Sequence, residues 1–282
     1  MVTLNSVPSK YTGGNGSSKR AVLNLIRFMP GGMSRVEIAR RLGLSRSAIT
    51  SIVNDLLDKN IVREGQDGPT TGGRRPILLE VNPNQGKVIG IDIGATHLTT
   101  VLADSSAQVL HEIQNSFDVR QGPDLCLEIV NLQIHTLLEQ SGYSLSDINA
   151  IGVGVPGPVV SELGMVIAPP IMPGWGNFPI HDHLINLWST PVTLHNDAEL
   201  GALGEWACGV GRGVCYLLYV KVGYGIGAGL LFNGEIYRGM TGTAGEIGHI
   251  TIDNDGPLCT CGNRGCLESI ASGRAIAERA QT

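Results

Sequence analysis

One histidine and three cysteines stand close together in the last quarter of the sequence: His249, Cys259, Cys261 and Cys266. One imidazole and three thiolates make a closed tetrahedral set for Zn²⁺, and thiolates favour Zn²⁺ over Mg²⁺ or Ca²⁺. The glycines within the stretch "CTCGNRGC" allow the backbone to fold back on a metal. The spacing therefore predicts a structural zinc site. Three reduced cysteines in an ordinary loop are the disfavoured alternative.

The other three cysteines, Cys126, Cys208 and Cys215, lie in apolar contexts and are expected to be buried. The first twenty residues contain no apolar leader segment, and no apolar run has the length needed to cross a bilayer. We therefore expect a cytoplasmic protein without a disulfide framework.

Asn196 and Asp197 follow a short predicted strand at 192–194 and precede a predicted helix. Ligands of α/β proteins bind where parallel strands end. An amide and a carboxylate at this point can hold a hydroxyl, and the carboxylate could accept its proton. The structural alternative for Asp197 is a plain helix N-cap.

Two glycine-bearing turns also follow predicted strands. The first contains Asp92, Gly94 and Thr96, and the second contains Gly223 and Gly225. Turns of this kind admit phosphate or Mg²⁺ close to the backbone, although neither pattern is specific by itself.

The elements that position these residues alternate in a recognisable order. Residues 86–114 predict three strands joined by tight turns, followed by an amphipathic helix and a buried strand at the start of "INAIGVGVPGPV". This order matches the first half of an α/β actin-like, ribonuclease H-like fold. Residues 213–239 repeat the strand and turn layout. We assign 86–195 to a first lobe and 196–282 to a second, partial lobe that carries the zinc site.

A separate domain is predicted over residues 18–82, after a disordered arm at 1–17. Three short predicted helices are followed by a strand, a glycine-rich tip and a second strand. This order is typical of a winged helix-turn-helix. The recognition helix, 45–58, presents a polar face opposite its apolar stripe, and this face comprises Arg46, Ser47, Thr50, Ser51 and Asn54. Arg74 and Arg75 follow the tip and are expected to reach DNA phosphate or a minor groove.

The charge is divided in the same way. Residues 1–85 contain 12 Lys and Arg against 6 Asp and Glu, whereas residues 86–282 contain 8 against 19. A basic head on an acidic body indicates that the head alone binds a polyanion such as operator DNA. A solvated helical domain without DNA affinity is the alternative.

The pattern G-H-x9-C-x-C-G-x2-G-C-x-E from Gly248 to Glu268 resembles the ROK family of bacterial repressors and sugar kinases. The segments "GIDIGAT", "GVGVPGPV", "PPIMPGWGNFP", "NDAELGALGE" and "GYGIGAGLLFNGEIYRG" resemble the same family. The winged head resembles the repressor branch.

The resemblance implies a two-lobed sugar-kinase fold with a sugar in the cleft. By motif, Asn196 and Asp197 would hold sugar hydroxyls, and Asp197 would be the catalytic base of a kinase. The family pattern adds Glu246, His249 and Glu268 to the sugar site. His249 would bind zinc through one ring nitrogen and face the sugar with the other.

Three departures from the kinase pattern make ATP and Mg²⁺ unexpected as cofactors. Ala95 replaces a glycine of the first turn, and Tyr224 stands where the second turn has a small threonine. The chain also ends about a hundred residues earlier than family members, so we expect an incomplete second lobe.

Three hypotheses remain from the sequence. The first is a sugar-responsive repressor that is not an enzyme and binds operator DNA as a homodimer or higher oligomer, with a sugar or sugar phosphate as effector. The second is an ATP-dependent hexose or aminosugar kinase with an accessory DNA-binding head. The third is an inactive fragment.

Overall fold

The computed structural model of the chain describes residues 15–29, 31–69, 75–160, 164–166, 172–176 and 178–281. The predicted arm falls largely outside these ranges, as do Arg74 and the tip of the wing. Within the described ranges, no helix has both the length and the apolar character needed to cross a membrane.

The first part of the chain folds as three helices and three strands. They are α1 (Asn15–Phe28), β1 (Met33–Ser34), α2 (Arg35–Leu42), α3 (Arg46–Asp58), β2 (Val62–Asp67) and β3 (Ile77–Val81). Ser34 and Ser45 cap α2 and α3, because each hydroxyl accepts the backbone N–H three residues later. The Glu37 carboxylate accepts hydrogen bonds from Arg40 and Arg41 rather than from the backbone N–H of Ser34.

One apolar core holds this domain together. Val22 and Ile26 of α1 pack with Ile38 of α2 and with Ile49 and Val53 of α3. The strands β2 and β3 pair antiparallel, and β3 also pairs with β1. The two strands that the sequence predicts on either side of the tip are therefore present and paired.

The next part forms a five-stranded sheet with the order β10-β7-β4-β5-β6. Its elements are β4 (Lys87–Ile93), β5 (His97–Asp104), β6 (Val109–Ser116), α4 (Pro123–Ser141), β7 (Ile148–Val155), β8 (Val159–Val160), β9 (Met165–Val166), α5 (Ile180–Trp188) and β10 (Val192–Asn196). The strands β4, β5 and β6 are antiparallel, whereas β7 and β10 run parallel to β4 and to each other. The succession of three strands, a helix and a strand from β4 to β7 is the one that the sequence predicts.

The last part begins with a helix that starts where β10 ends. It contains α6 (Asp197–Ala207), β11 (Tyr216–Val222), β12 (Ile226–Phe232), β13 (Glu235–Ile236), α7 (Leu267–Ala271) and α8 (Gly273–Ala280). The three strands form an antiparallel sheet, and α6 lies on it. The repeated strand layout that the sequence predicts for this part of the chain is present. The domain limits drawn from the sequence stay predictions.

The prediction that the three cysteines outside the cluster are buried is only partly right. Cys126 of α4 is fully buried, and its burial raises the pKa of its thiol to about 12, so it stays a neutral apolar group. Cys215 is partly buried, and Cys208 is exposed because it caps the solvent-facing C-terminus of α6.

Candidate functional site

A cleft of about 620 Å³ lies between the five-stranded sheet and the second sheet. Its size suits a small organic ligand. Both glycine turns and the Asn196 region line it. All five residues that the family resemblance places around a sugar border the cleft: Asn196, Asp197, Glu246, His249 and Glu268. We call this group the carboxylate side, and we call the turns 94–96 and 223–225 the glycine-turn side.

The predicted metal ligands converge at one end of the carboxylate side. The ligand atoms of His249, Cys259, Cys261 and Cys266 all lie within 4.8 Å of one another. Cys259 Sγ is 3.6 Å from His249 Nδ1, and Cys261 Sγ is 3.7 Å from Cys266 Sγ. Ligands about 2.3 Å from a tetrahedral metal are separated by about 3.8 Å, so the donor set fits Zn²⁺.

The metal-ligand loop closes through tight backbone packing. Gly265 has a left-handed φ of 61°, and a side chain there would overlap the carbonyl of Asp253. The Cys259 N–H donates to the carbonyl of Asn263, which closes the turn between the ligands. A glycine at 265 is therefore required by the path of the loop.

The imidazole of His249 lies between the cluster and the cleft. Its Nδ1 faces Cys259, and its Nε2 is 3.7 Å from the carboxylate of Glu246. The two ring nitrogens thus face different partners. A ligand on Nδ1 fixes the ring orientation and the tautomer that Nε2 presents.

Asp197 sits at the start of α6 with an ion-pair partner that sequence reasoning missed. Lys221 Nζ of β11 is 2.6 Å from Asp197 Oδ2. Burial raises the pKa of the Asp197 carboxyl, and the nearby ammonium opposes this rise only in part. The N-cap of α6 is Asn196 rather than Asp197, so the carboxylate of Asp197 is not a plain cap.

Asn196 and Glu268 are held by backbone contacts. The amide oxygen of Asn196 accepts the N–H groups of Ala198 and Glu199, and its Nδ2 donates to the carbonyl of Gly157. The Glu268 carboxylate accepts the N–H of Ile226 at 2.8 Å. Both side chains are therefore oriented before any ligand enters.

Glu246 is the carboxylate beside the predicted metal ligand. Burial raises its pKa, and the neighbouring Glu268 and Asp197 raise it further, while His249 opposes the shift. The carboxylate side thus gathers acidic groups that accept hydrogen bonds, as expected for a site that holds hydroxyls.

A second polar cluster lies at the rim, and the sequence did not indicate it. Arg238 Nη2 donates to the Glu199 carboxylate and lies 2.9 Å from His195 Nδ1. Burial works to raise the pKa of Glu199, but the Arg238 guanidinium and the nearby His195 outweigh it and lower the pKa. Since these three groups satisfy one another, we interpret the cluster as a support for the start of α6.

On the glycine-turn side, His97 covers the first turn. Its Nε2 lies 3.0 Å from the Asp92 carboxylate, and the ring sits directly over Gly94, where a Cβ would overlap it. The Gly94 N–H is used by the carbonyl of His97. The face that a phosphate would approach is therefore occupied by an imidazole of the chain itself.

Tyr224 occupies the second turn. It borders a small cavity of about 20 Å³ together with Ala95, Thr96 and Arg120. The guanidinium of Arg274 lies 5.8 Å from its ring centroid. Tyr224 thus lies near the first turn, and the crowding of a nucleotide by its phenol stays a prediction.

The candidate DNA-binding face lies on α3. The five predicted side chains, Arg46, Ser47, Thr50, Ser51 and Asn54, are all exposed on one side of the helix. The Thr50 hydroxyl donates to the carbonyl of Arg46, while Ser47 shares a hydrogen bond with Ser45. Arg75 is exposed at the described edge of the wing.

A winged helix-turn-helix joined to an actin-like lobe with a sugar-kinase cleft defines a class of protein, and comparisons with known sequences agree with it. The sequence model of the ROK family matches residues 88–282, and that of the MarR family matches residues 18–70. The chain therefore belongs to the ROK family.

The individual relatives include both transcriptional repressors and sugar kinases. A putative xylose repressor from Caldicellulosiruptor sp. (strain Rt8B.4) is 38% identical over 245 residues, which cover 86% of this chain and 61% of that protein. The crystal structure of a ROK family transcriptional regulator, a homologue of the E. coli MLC protein, matches with a TM-score of 0.72 at 26% identity, over 94% of this chain and 67% of that one.

A ROK family glucokinase from Streptomyces griseus, solved with glucose and AMPPNP, matches with a TM-score of 0.62 at 30% identity. The match covers 70% of this chain and 60% of the kinase. These likenesses confirm the predicted actin-like fold. The chain spans 61% to 64% of the length of four xylose repressor relatives that it matches.

Proposed function

We propose that the chain is a sugar-responsive, DNA-binding transcriptional regulator that represses carbohydrate-utilisation genes. The observation that carries the proposal is a cleft with an oriented carboxylate side and with aromatic rings beside its glycine turns, on a chain with an exposed recognition helix. Such a cleft can bind a sugar without transferring phosphate to it. The repressor relatives supply independent support.

The sugar would bind on the carboxylate side. Asp197, Glu246 and Glu268 supply hydrogen-bond acceptors for hydroxyls, and His249 Nε2 supplies a further polar contact. Zn²⁺ held by His249 and the three thiolates would fix the imidazole and close the 259–266 loop. The metal is thus proposed as a structural ion that acts on the sugar through the orientation of His249.

DNA would bind to the head. The polar face of α3 would enter a major groove, with Arg46 near the helix N-terminus as the residue best placed to reach a base or phosphate. Arg74 and Arg75 would add wing contacts. The homodimer, or a higher oligomer, and the cytoplasmic location stay predictions.

The first experiment selects DNA duplexes from a random pool with the purified chain and measures their Kd with and without sugars. D-xylose, D-glucose, N-acetyl-D-glucosamine and their phosphates form the panel. We expect one of them to raise the melting temperature and to change the Kd for DNA. Unchanged DNA affinity across the panel would contradict the effector role.

The second experiment tests the recognition helix. Arg46→Ala should weaken binding to the selected duplex about 5- to 150-fold, because a base contact by arginine contributes ~1–3 kcal/mol. Arg279→Ala, on α8 of the body, removes the same charge and is the matched control. Equal Kd values for the two variants would show that α3 is not the reading helix.

A sugar kinase is the alternative function. Asp197, the residue that would act as its catalytic base, lines the cleft, and the likeness to a glucokinase structure supports this alternative. Three contacts of this chain argue against it. Lys221 engages Asp197, His97 covers the first turn, and Tyr224 stands in the second. A coupled ADP-release assay with hexoses tests it, and turnover that disappears in Asp197→Asn would overturn our preference.

A further inference from the structure

The head and the body touch through an aromatic pair. Phe28, the last residue of α1, and Trp206, near the end of α6, have ring centroids 4.7 Å apart and an interplanar angle of 64°. This edge-to-face arrangement is the favourable one for aromatic rings. Phe28 is half-buried but does not belong to the apolar core of the head. Its described ring partner therefore lies in the other domain.

The helix α6 connects this contact to the cleft. Its first turn contains Asp197 and Glu199, which line the cleft, and Trp206 lies in its last turn. Trp206 lies nine positions after Asp197 in the chain, which corresponds to a rise of about 14 Å along the helix axis. One uninterrupted helix thus has its N-terminus at the candidate sugar site and its C-terminus at the head.

Trp206 is fixed to the body on its other sides. Its indole N–H donates to the carbonyl of Val214 at 3.0 Å, and its six-membered ring lies against Gly234, where a side chain would overlap it. At the other end of α6, Gly229 of β12 lets the helix backbone approach the sheet directly at Ala198. A helix packed this closely moves as a unit with its neighbours.

The helix α1 leads from Phe28 to the recognition helix. Its Val22 and Ile26 share a core with residues of α3, and the Lys19 ammonium contacts the Asp55 carboxylate of α3. A displacement of the Phe28 end of α1 would therefore change the position of α3 relative to the body.

Resting on the proposed function, we propose that α6 couples the sugar cleft to the DNA-binding head through the Phe28–Trp206 contact. Sugar bound at the N-terminus of α6 favours one position of this helix, and Trp206 carries that preference to α1. The effector shifts the equilibrium by its different affinities for the two positions. An aromatic pair of this kind contributes enough for about a two- to tenfold effect.

The first test is hydrogen exchange of the α1 amides in the whole chain, without and with D-xylose, D-glucose or N-acetyl-D-glucosamine. A thermal shift in the same samples establishes which sugar binds. We expect the bound sugar to change α1 exchange about two- to tenfold in the wild type. Phe28→Ala should still bind the sugar but lose this response.

Two further variants make the result specific. Trp206→Leu removes the contact from the other side, so the test does not depend on one substitution folding. Tyr143→Ala removes a half-exposed aromatic of the first lobe, whose described ring partner is the Lys87 ammonium, and should respond like the wild type. With a selected DNA duplex, the ratio of Kd values with and without sugar should fall toward one in Phe28→Ala and Trp206→Leu alone.

The outcomes separate the two proposals. If no sugar raises the melting temperature, the sugar half of the proposed function fails, and the coupling fails with it. If sugar binds and alters DNA affinity but both contact variants respond like the wild type, the proposed function stands and the α6 route is wrong. Sugar binding without any change in wild-type α1 exchange also overturns the route.

Discussion

The carboxylate side and the glycine-turn side of the cleft differ in which of their polar groups can bind a ligand. On the carboxylate side, Asn196 and Glu268 are held by backbone groups, and the metal-ligand cluster orients His249. On the glycine-turn side, the ring of His97 lies over Gly94, and Tyr224 borders a small cavity with Ala95. One side has its polar groups oriented toward a ligand, and the other has aromatic rings of the chain beside its turns.

This difference shows how a phosphotransferase fold can serve as a receptor. Binding of a sugar needs oriented acceptors, whereas phosphoryl transfer also needs open backbone N–H groups for phosphate and a free base. Lys221 engages the Asp197 carboxylate, which is the group that would have to act as the base. Under the proposed function, the contacts at two turns and one strand oppose the second requirement and leave the first intact.

The largest effect is expected from the metal-ligand cluster. Cys266→Ser removes a buried thiolate, so stoichiometric zinc should be lost and sugar affinity should fall by at least about 10- to 100-fold, because the orientation of His249 is lost. Metal analysis and calorimetric titration with the stabilising sugar measure the two losses. Cys208→Ser, outside the cluster and exposed, is the control. DNA binding by the head should persist, and its selective loss would mean that the cluster serves DNA.

The next effect is expected from the carboxylates themselves. Asp197→Asn and Glu246→Gln keep the size of each side chain but remove a charged acceptor that contributes ~1.5–3 kcal/mol per hydrogen bond. Sugar affinity should fall about 10- to 150-fold while zinc content stays unchanged. Asp118→Asn is the matched control, since Asp118 pairs with Arg120 near the glycine-turn side. Equal losses in all three variants would erase the proposed difference between the two sides.

A smaller effect is expected on the glycine-turn side. Tyr224→Ala removes a ring that contacts neither Asp197 nor Glu246 in the described contacts, so sugar affinity should stay within about threefold of the wild type. Calorimetry with the stabilising sugar measures it, and titration with AMPPNP shows whether the vacated space admits a nucleotide. A loss as large as that of Asp197→Asn would place Tyr224 in the sugar site.

The metal-ligand cluster was predictable because its four ligands lie within eighteen residues, so their types and spacing carry the information. The recognition helix was predictable for a similar reason. Local serine caps mark where α2 and α3 begin, and the apolar stripe of α3 identifies its exposed face. Both features depend on short-range rules that a sequence displays directly.

The contacts that argue against phosphoryl transfer were only half predictable from the sequence. Tyr224 departs from the kinase pattern, whereas Lys221 is one charged residue in an apolar strand and signals nothing alone. Its partner Asp197 is 24 residues away in the chain. The pair forms because α6 packs close against the sheet, where Gly229 has no side chain to hold the helix away. Arg238 and Glu199 meet across 39 residues for the same reason. Packing register between a helix and a sheet is not visible in local patterns.

The smallest expected effect concerns the rim cluster and its dependence on pH. The pKa of Glu199 is lowered in the folded chain, so its ion pair stabilises the fold at pH values above the ordinary carboxyl pKa of 4.5. That stability is lost as the pH falls through the lower folded pKa. Glu199→Gln should therefore lower the melting temperature by about 2–4 °C at pH 7, and the difference from the wild type should shrink below about pH 4.5. Thermal unfolding of both proteins between pH 3 and pH 7 measures this.

The same variant tests whether Glu199 is a support or a ligand. Since Arg238 and His195 already occupy its carboxylate, sugar affinity in Glu199→Gln should change far less than in Glu246→Gln. The matched control for stability is Glu205→Gln, on the same helix but outside this cluster. A pH-independent loss of stability would contradict the ion-pair interpretation. A loss of sugar affinity comparable to that of Glu246→Gln would instead extend the carboxylate side to Glu199, and the start of α6 would then contact the sugar through two carboxylates rather than one.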